Sequence, residues 1–147
     1  METVYLVSGG LAIGLNLVAG LIGGIAWSRH SPSTAFWPVL RGGQALTAVF
    51  VLVETGLYVS GARAEYGLHY LYGFLPLVAM FLAEGTRTAA GRQELGDRDL
   101  GSLDEREKTE LALAIIRRET GVMAISCLVI AFLVWRAVET TAGMFAG

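Results

Sequence analysis

Two residues of this 147-residue chain have side chains whose surroundings demand a chemical account: Glu54 and His69. Glu54 lies in the run from Phe36 to Ser60, which is apolar apart from Arg41, Gln44, Thr47 and Glu54 itself. A carboxylate in hydrocarbon costs about 2.5 kcal/mol or more, so it must meet a partner, take a proton or line a wet cavity. His69 follows in Gly67-Leu68-His69-Tyr70-Leu71-Tyr72-Gly73. An imidazole beside a carboxylate can share a proton with it, or can ligate a metal through one nitrogen while the other is oriented by a carboxylate or carbonyl. Trp37, Arg41, Gln44, Thr47, Val51, Glu54 and Tyr58 succeed one another by three or four, which places them on one helical face. His69, Tyr72, Gly73, Pro76, Met80 and Glu84 form a second such stripe, in which Pro76 predicts a kink that frees the Tyr72 carbonyl. Folding the short connection about Arg63 sets His69 opposite Leu57, beside Tyr58 and one turn from Glu54. The pair therefore reads either as a neutral hydrogen-bonded contact between helices or as a group that binds a ligand or handles a proton.

Other chemistry is scarce. Cys127 is the only cysteine and there are two histidines, too few for a cysteine-based zinc cage. No nucleophile has a general base at a recognisable spacing, and no glycine-rich phosphate loop is present, so the chain is not expected to be an enzyme. A net charge of -2 gives no basic footprint for nucleic acid.

The elements that position these residues follow from composition. The chain is 54% hydrophobic and 16% charged, where a soluble domain has about a quarter of its residues charged. One membrane domain over residues 1–147 is predicted, an all-α, integral membrane four-helix bundle running antiparallel, up-down-up-down. Its spans fall at about 4–27, 36–60, 66–84 and 119–138. The first apolar run is too long for a signal peptide, is preceded by Glu2 rather than basic residues, and is expected to be retained. Residues 61–65 allow only a tight hairpin, so spans two and three are expected to lie side by side. Residues 86–118 form a charged segment, in which Ser102-Leu103-Asp104-Glu105 reads as a capping box opening a helix that continues unbroken into span four. Arg29, Arg41, Arg87, Arg92, Arg98, Arg106, Lys108, Arg117 and Arg118 fall on one side, and only Arg63 and Arg136 on the other. Positive-inside reasoning then puts both termini outside and the charged segment in the cytoplasm, making the protein a multi-pass component of the plasma membrane.

Span one carries Gly9, Ala12, Asn16, Gly20, Gly23 and Trp27 on a stripe, with Gly10/Gly14 and Gly20/Gly24 as small-xxx-small pairs. Such residues let helices approach closely, within the bundle or in a homodimer, and Asn16 is expected to hydrogen-bond a neighbouring helix.

Gln44, Gly56, Ser60-Gly61-Ala62 and His69-Tyr70-Leu71-Tyr72-Gly73 together resemble the paired-helix pattern of small membrane b-type cytochromes and of one half of haem A synthases. The resemblance implies a haem b held between helices, with His69 as the axial metal ligand and Gly73 giving the macrocycle room. Glu54, Tyr58, Tyr72 and Gln44 would complete the cofactor site, while His30 lies in the opposite loop and does not supply a second ligand. Across Ala35-Phe36-Trp37, His69 to Gly73 and Arg117 to Met123 the chain is also similar to small four-span proteins of high-GC bacteria, a likeness that carries no activity with it. Three functions are therefore in view: a non-catalytic accessory or assembly subunit of a membrane complex, such as a respiratory one; a haem- or quinone-binding bundle using His69 with Glu54; and a small dimeric proton-coupled transporter using Glu54.

Overall fold

The computed structural model describes residues 1–142, 144 and 145. Four helices follow one another, α1 (Glu2–Ser28), α2 (Phe36–Val59), α3 (Leu68–Leu95) and α4 (Glu105–Glu139), and the described residues include no strand. The expected all-α bundle is present, and all four helices are long and apolar enough to cross a membrane.

Close contacts fix the directions of the helices. Glycine positions on α1 and α4 show the antiparallel register of that pair, because a Cβ on Gly9 would meet Val138, one on Gly20 would meet Leu128, and one on Gly121 would meet Trp27. Gly43 of α2 faces Asn16 of α1, whose amide reaches Thr47 Oγ1 at 3.0 Å and the Gly43 carbonyl at 3.3 Å. The hydrogen bond expected of Asn16 is thus made to α2. The two glycine pairs of α1 divide, since Gly20 is buried against Leu128 whereas Gly10, Gly14 and Gly24 meet nothing within 4 Å. α4 packs extensively on both α1 and α3, and α1 on α2. Spans two and three are antiparallel neighbours as the hairpin requires, yet they touch over a much shorter stretch.

Polarity is distributed inside-out. Asn16, Thr47, Glu54 and His69 are fully buried, while Leu21, Leu52, Phe81, Leu82 and Phe132 are each more than half exposed. Water would penalise an apolar outer surface of this extent, and lipid would not. The distribution fits a multi-pass membrane protein.

The structure corrects two local expectations. First, α3 does not stop at Glu84 but continues as a helix to Leu95, so the segment between the last two helices spans only 96–104. The added turns are held by α4: Ala90 is buried, and Arg118 donates to Glu94 Oε1 at 2.7 Å and to Gln93 Oε1 at 2.9 Å. Second, the capping box is shifted by two residues. Asp104 is the N-cap, accepting from the Glu107 N–H at 2.7 Å, while the Glu107 carboxylate accepts from the Asp104 N–H at 2.9 Å. Ser102 instead closes a turn onto the Asp99 carbonyl. Both tetrapeptides fit the motif, and the extended backbone of Asp104, ψ 170°, decides between them. Helix α3 continues on both sides of Pro76. From the cap onward α4 is one helix of 35 residues, about 52 Å long against a hydrocarbon thickness of about 30 Å.

Helices α1 and α2 both end in Schellman motifs, with Ser31 N–H on Ala26 O and Ala62 N–H on Leu57 O closing the outer bonds. The left-handed position is Gly61 in one, at φ 97°, but His30 in the other, at φ 55°.

Candidate functional site

Glu54 and His69 meet as their spacing predicted. Glu54 Oε1 lies 2.7 Å from His69 Nε2, and both side chains are completely buried. The other ring nitrogen, Nδ1, lies 3.1 Å from the Ala137 carbonyl and 3.3 Å from Thr140 Oγ1, both on or at the end of α4. A carbonyl only accepts, so Nδ1 carries a hydrogen. The contact at Nε2 then has two forms: a neutral imidazole accepting from a protonated Glu54, or an imidazolium facing a carboxylate. They differ only in which atom holds one proton.

Distance and direction disagree at this contact. At the 2.7 Å separation a hydrogen placed on Nε2 would not point along the line to Glu54 Oε1. The Tyr5 hydroxyl, from the first turn of α1, stands beside Glu54. Its ring packs on Phe50 at 5.1 Å and on His69 at 6.3 Å between centroids. All four helices therefore converge on one buried polar cluster: Tyr5 from α1, Glu54 from α2, His69 from α3 and the Ala137 carbonyl from α4.

Gly73 belongs to this cluster because of what fills its missing side chain. A Cβ there would stand 2.9 Å from Glu54 Cγ and 3.0 Å from Cδ. Glycine lets α2 and α3 approach just where their contact is otherwise sparse.

The remaining expected site residues lie elsewhere. Tyr58 is 44% exposed, with the Arg63 guanidinium 4.4 Å above its ring and Tyr70 edge-on to it. Tyr72 is partly buried under Arg136, whose guanidinium carbon is 5.5 Å from the ring centroid. Gln44 sits toward the opposite end of α2 and donates to Glu84 Oε1 at 2.8 Å. There it joins a second polar cluster, in which Arg41 reaches the same oxygen at 2.5 Å, and Arg87 reaches Glu84 Oε2 at 2.9 Å and Glu119 Oε2 at 3.3 Å.

Sequence reasoning missed Tyr5 and the α4 partners of His69. Tyr5 could have been found by extending the stripe Gly9, Ala12, Asn16 back one turn. The Ala137 carbonyl carries no side-chain signal at all.

No family model, curated protein or solved structure matches the chain. The residues themselves answer the question of a haem. Both ring nitrogens of His69 face protein oxygens, and the space over Gly73 is filled by the Glu54 side chain rather than left for a macrocycle. The site as built does not fit a haem b, and among the described residues no group of three or more His, Cys, Asp or Glu side chains is arranged to hold a metal ion.

Proposed function

We propose that this protein is a multi-pass component of a bacterial plasma membrane, with both termini outside, that acts as a non-catalytic accessory or assembly subunit of a larger membrane complex. The observation that supports this reading most is the engagement of His69 from two sides, by Glu54 of α2 and the Ala137 carbonyl of α4. The most unusual ionisable residue is spent on joining helices, which leaves the protein's outer surfaces for its work. A second copy of the chain would find Gly10 and Gly14 uncovered on α1, so a homodimer through span one uses that face.

Purification in mild detergent tests the reading. The expected product is colourless and migrates with a defined partner in constant stoichiometry; a stoichiometric Soret band that vanishes in His69→Ala would replace it with the cofactor reading. Topology is tested separately by cysteine labelling, which is clean because Cys127 is buried. Glu65→Cys is expected to react with an impermeant reagent in intact cells and Gly101→Cys only after lysis, and the reverse pattern would invert the orientation.

The burial of Glu54 and His69 2.7 Å apart, with the Tyr5 hydroxyl beside them, favours a second reading, in which the pair carries a proton in a small transporter. In that case the infrared carbonyl band of a protonated Glu54, identified by its loss in Glu54→Gln, changes intensity with external pH in reconstituted vesicles. A band insensitive to pH, or absent, removes this reading.

A further inference from the structure

A cleft lies at the end of the bundle remote from Glu54 and His69. It is bounded by the C-terminal turn of α1 with the residues after it, and by the third to fifth turns of α4. It measures about 200 Å³ and is walled chiefly by Trp27, Pro32, Leu113 and Ile116, with His30 and Arg117 among its polar groups. Trp27 and Leu113 remain 42% and 47% exposed, so the walls reach the outer surface.

Arg117 is the one arginine that lines the cleft. Carboxylates at this end are already engaged: Glu84 by Arg41 and Arg87, Glu119 by Arg87, and Glu94 by Arg118. Arg117, next to the paired Arg118, has no carboxylate partner among the described residues. Arg29, likewise without one, lines the neighbouring groove on the other side of Ser31 and Pro32. Arg117 also lies within one turn of Thr120, where the charge-free part of α4 begins. An arginine without an acidic partner, at the edge of the apolar zone, over an apolar slot bearing a tryptophan, matches the chemistry of a phosphodiester with hydrocarbon attached.

We propose that this cleft binds an anionic phospholipid, with Arg117 holding the phosphate and the apolar walls between α1 and α4 receiving the start of an acyl chain. The proposal rests on the membrane-spanning reading of the four helices and is independent of which side faces the cytoplasm. Bound there, the lipid would tie the turn around His30, held in a left-handed conformation, to the middle of α4.

The test is native mass spectrometry of the full-length protein in mild detergent, titrated with phosphatidylglycerol, phosphatidylcholine or inorganic phosphate. One phosphatidylglycerol is expected to be retained at about tenfold lower concentration than phosphatidylcholine, with no competition from equimolar inorganic phosphate. Arg117→Gln is expected to weaken retention about tenfold, the effect of losing one charge-assisted hydrogen bond, while Arg117→Lys restores most of it. Ala114→Phe, which fills the cleft and keeps the charge, provides a second route to the same loss should Arg117→Gln not fold. Arg106→Gln, at an arginine already paired with Glu110, leaves retention unchanged. Equal retention of the two lipids, indifference to both cleft variants, or displacement by inorganic phosphate would each overturn the proposal. Recovery of the protein from the soluble fraction without detergent would instead overturn the membrane reading on which it rests.

Discussion

The two polar clusters of this bundle join helices at opposite ends and do so by different physics. At one end Glu84 accepts from Arg41, Gln44 and Arg87 together, and its side chain remains 27% exposed, as does 53% of Arg41. Each charge there has aligned partners and access to solvent. At the other end Glu54 and His69 are wholly buried, lie 2.7 Å apart, and lack an aligned bond between them. Exposed ion pairs contribute little because water or headgroups can replace a lost partner. A buried polar atom has no such replacement. The less well-bonded cluster is therefore the one whose disruption costs more.

The comparison breaks if substitutions do not follow that order. Glu54→Leu leaves His69 Nε2 facing hydrocarbon and is expected to destabilise by about 1–3 kcal/mol, whereas Glu54→Gln, which keeps shape and a hydrogen-bonding group, stays close to wild type. Denaturant unfolding in mixed micelles measures both, and a double-mutant cycle with His69→Leu isolates the coupling, which should be well above zero. Gly73→Ala comes next. Its methyl would intrude on Glu54 Cγ and Cδ, and overpacking of about 1–3 kcal/mol outweighs the gain of about 0.5–1 kcal/mol from removing a helical glycine. Gly56→Ala on α2, where a Cβ meets nothing within 4 Å, is the control and should stabilise slightly. Asn16→Ala removes the amide bond to Thr47 between α1 and α2 and is expected to cost about 0.6–2 kcal/mol, insensitive to salt. The smallest effect belongs to Glu84→Gln, about 0.2–1 kcal/mol, shrinking as salt is added because the cluster is partly solvated. An Glu84→Gln variant less stable than Glu54→Leu would reverse the ranking of the two ends.

The same contrast explains what could be read from sequence. Glu54 and His69 were legible because ionisable residues are rare in long apolar runs, and a tight hairpin leaves few registers for bringing them together. Asn16 was legible for the same reason. The four helices followed from hydropathy, but the extent of α3 did not, because Thr86 to Leu95 are polar and their helix is held by Arg118, Glu94 and the close approach of Gly91 to Glu119. Hydropathy marks where a helix can sit in lipid, not where its backbone stops. Gln44 and Tyr58 share a helical stripe with Glu54, yet they stand about three turns and one turn away along the axis and turn to Glu84 and Arg63. Periodicity gives the face of a helix and says nothing of which partner waits at each height.

The bond from His69 Nδ1 to the Ala137 carbonyl spans nearly half the chain and reaches the last turn of the last helix. Synthesis proceeds from the N-terminus, so Tyr5, Glu54 and His69 all leave the ribosome before that carbonyl exists. Until α4 arrives, the imidazole has a donor with no acceptor, in the part of the bundle least able to tolerate one. A prematurely terminated chain can insert three helices but cannot close this cluster. Closure of the buried polar cluster therefore waits on α4, which makes a fragment lacking that helix chemically distinct from a chain that carries it.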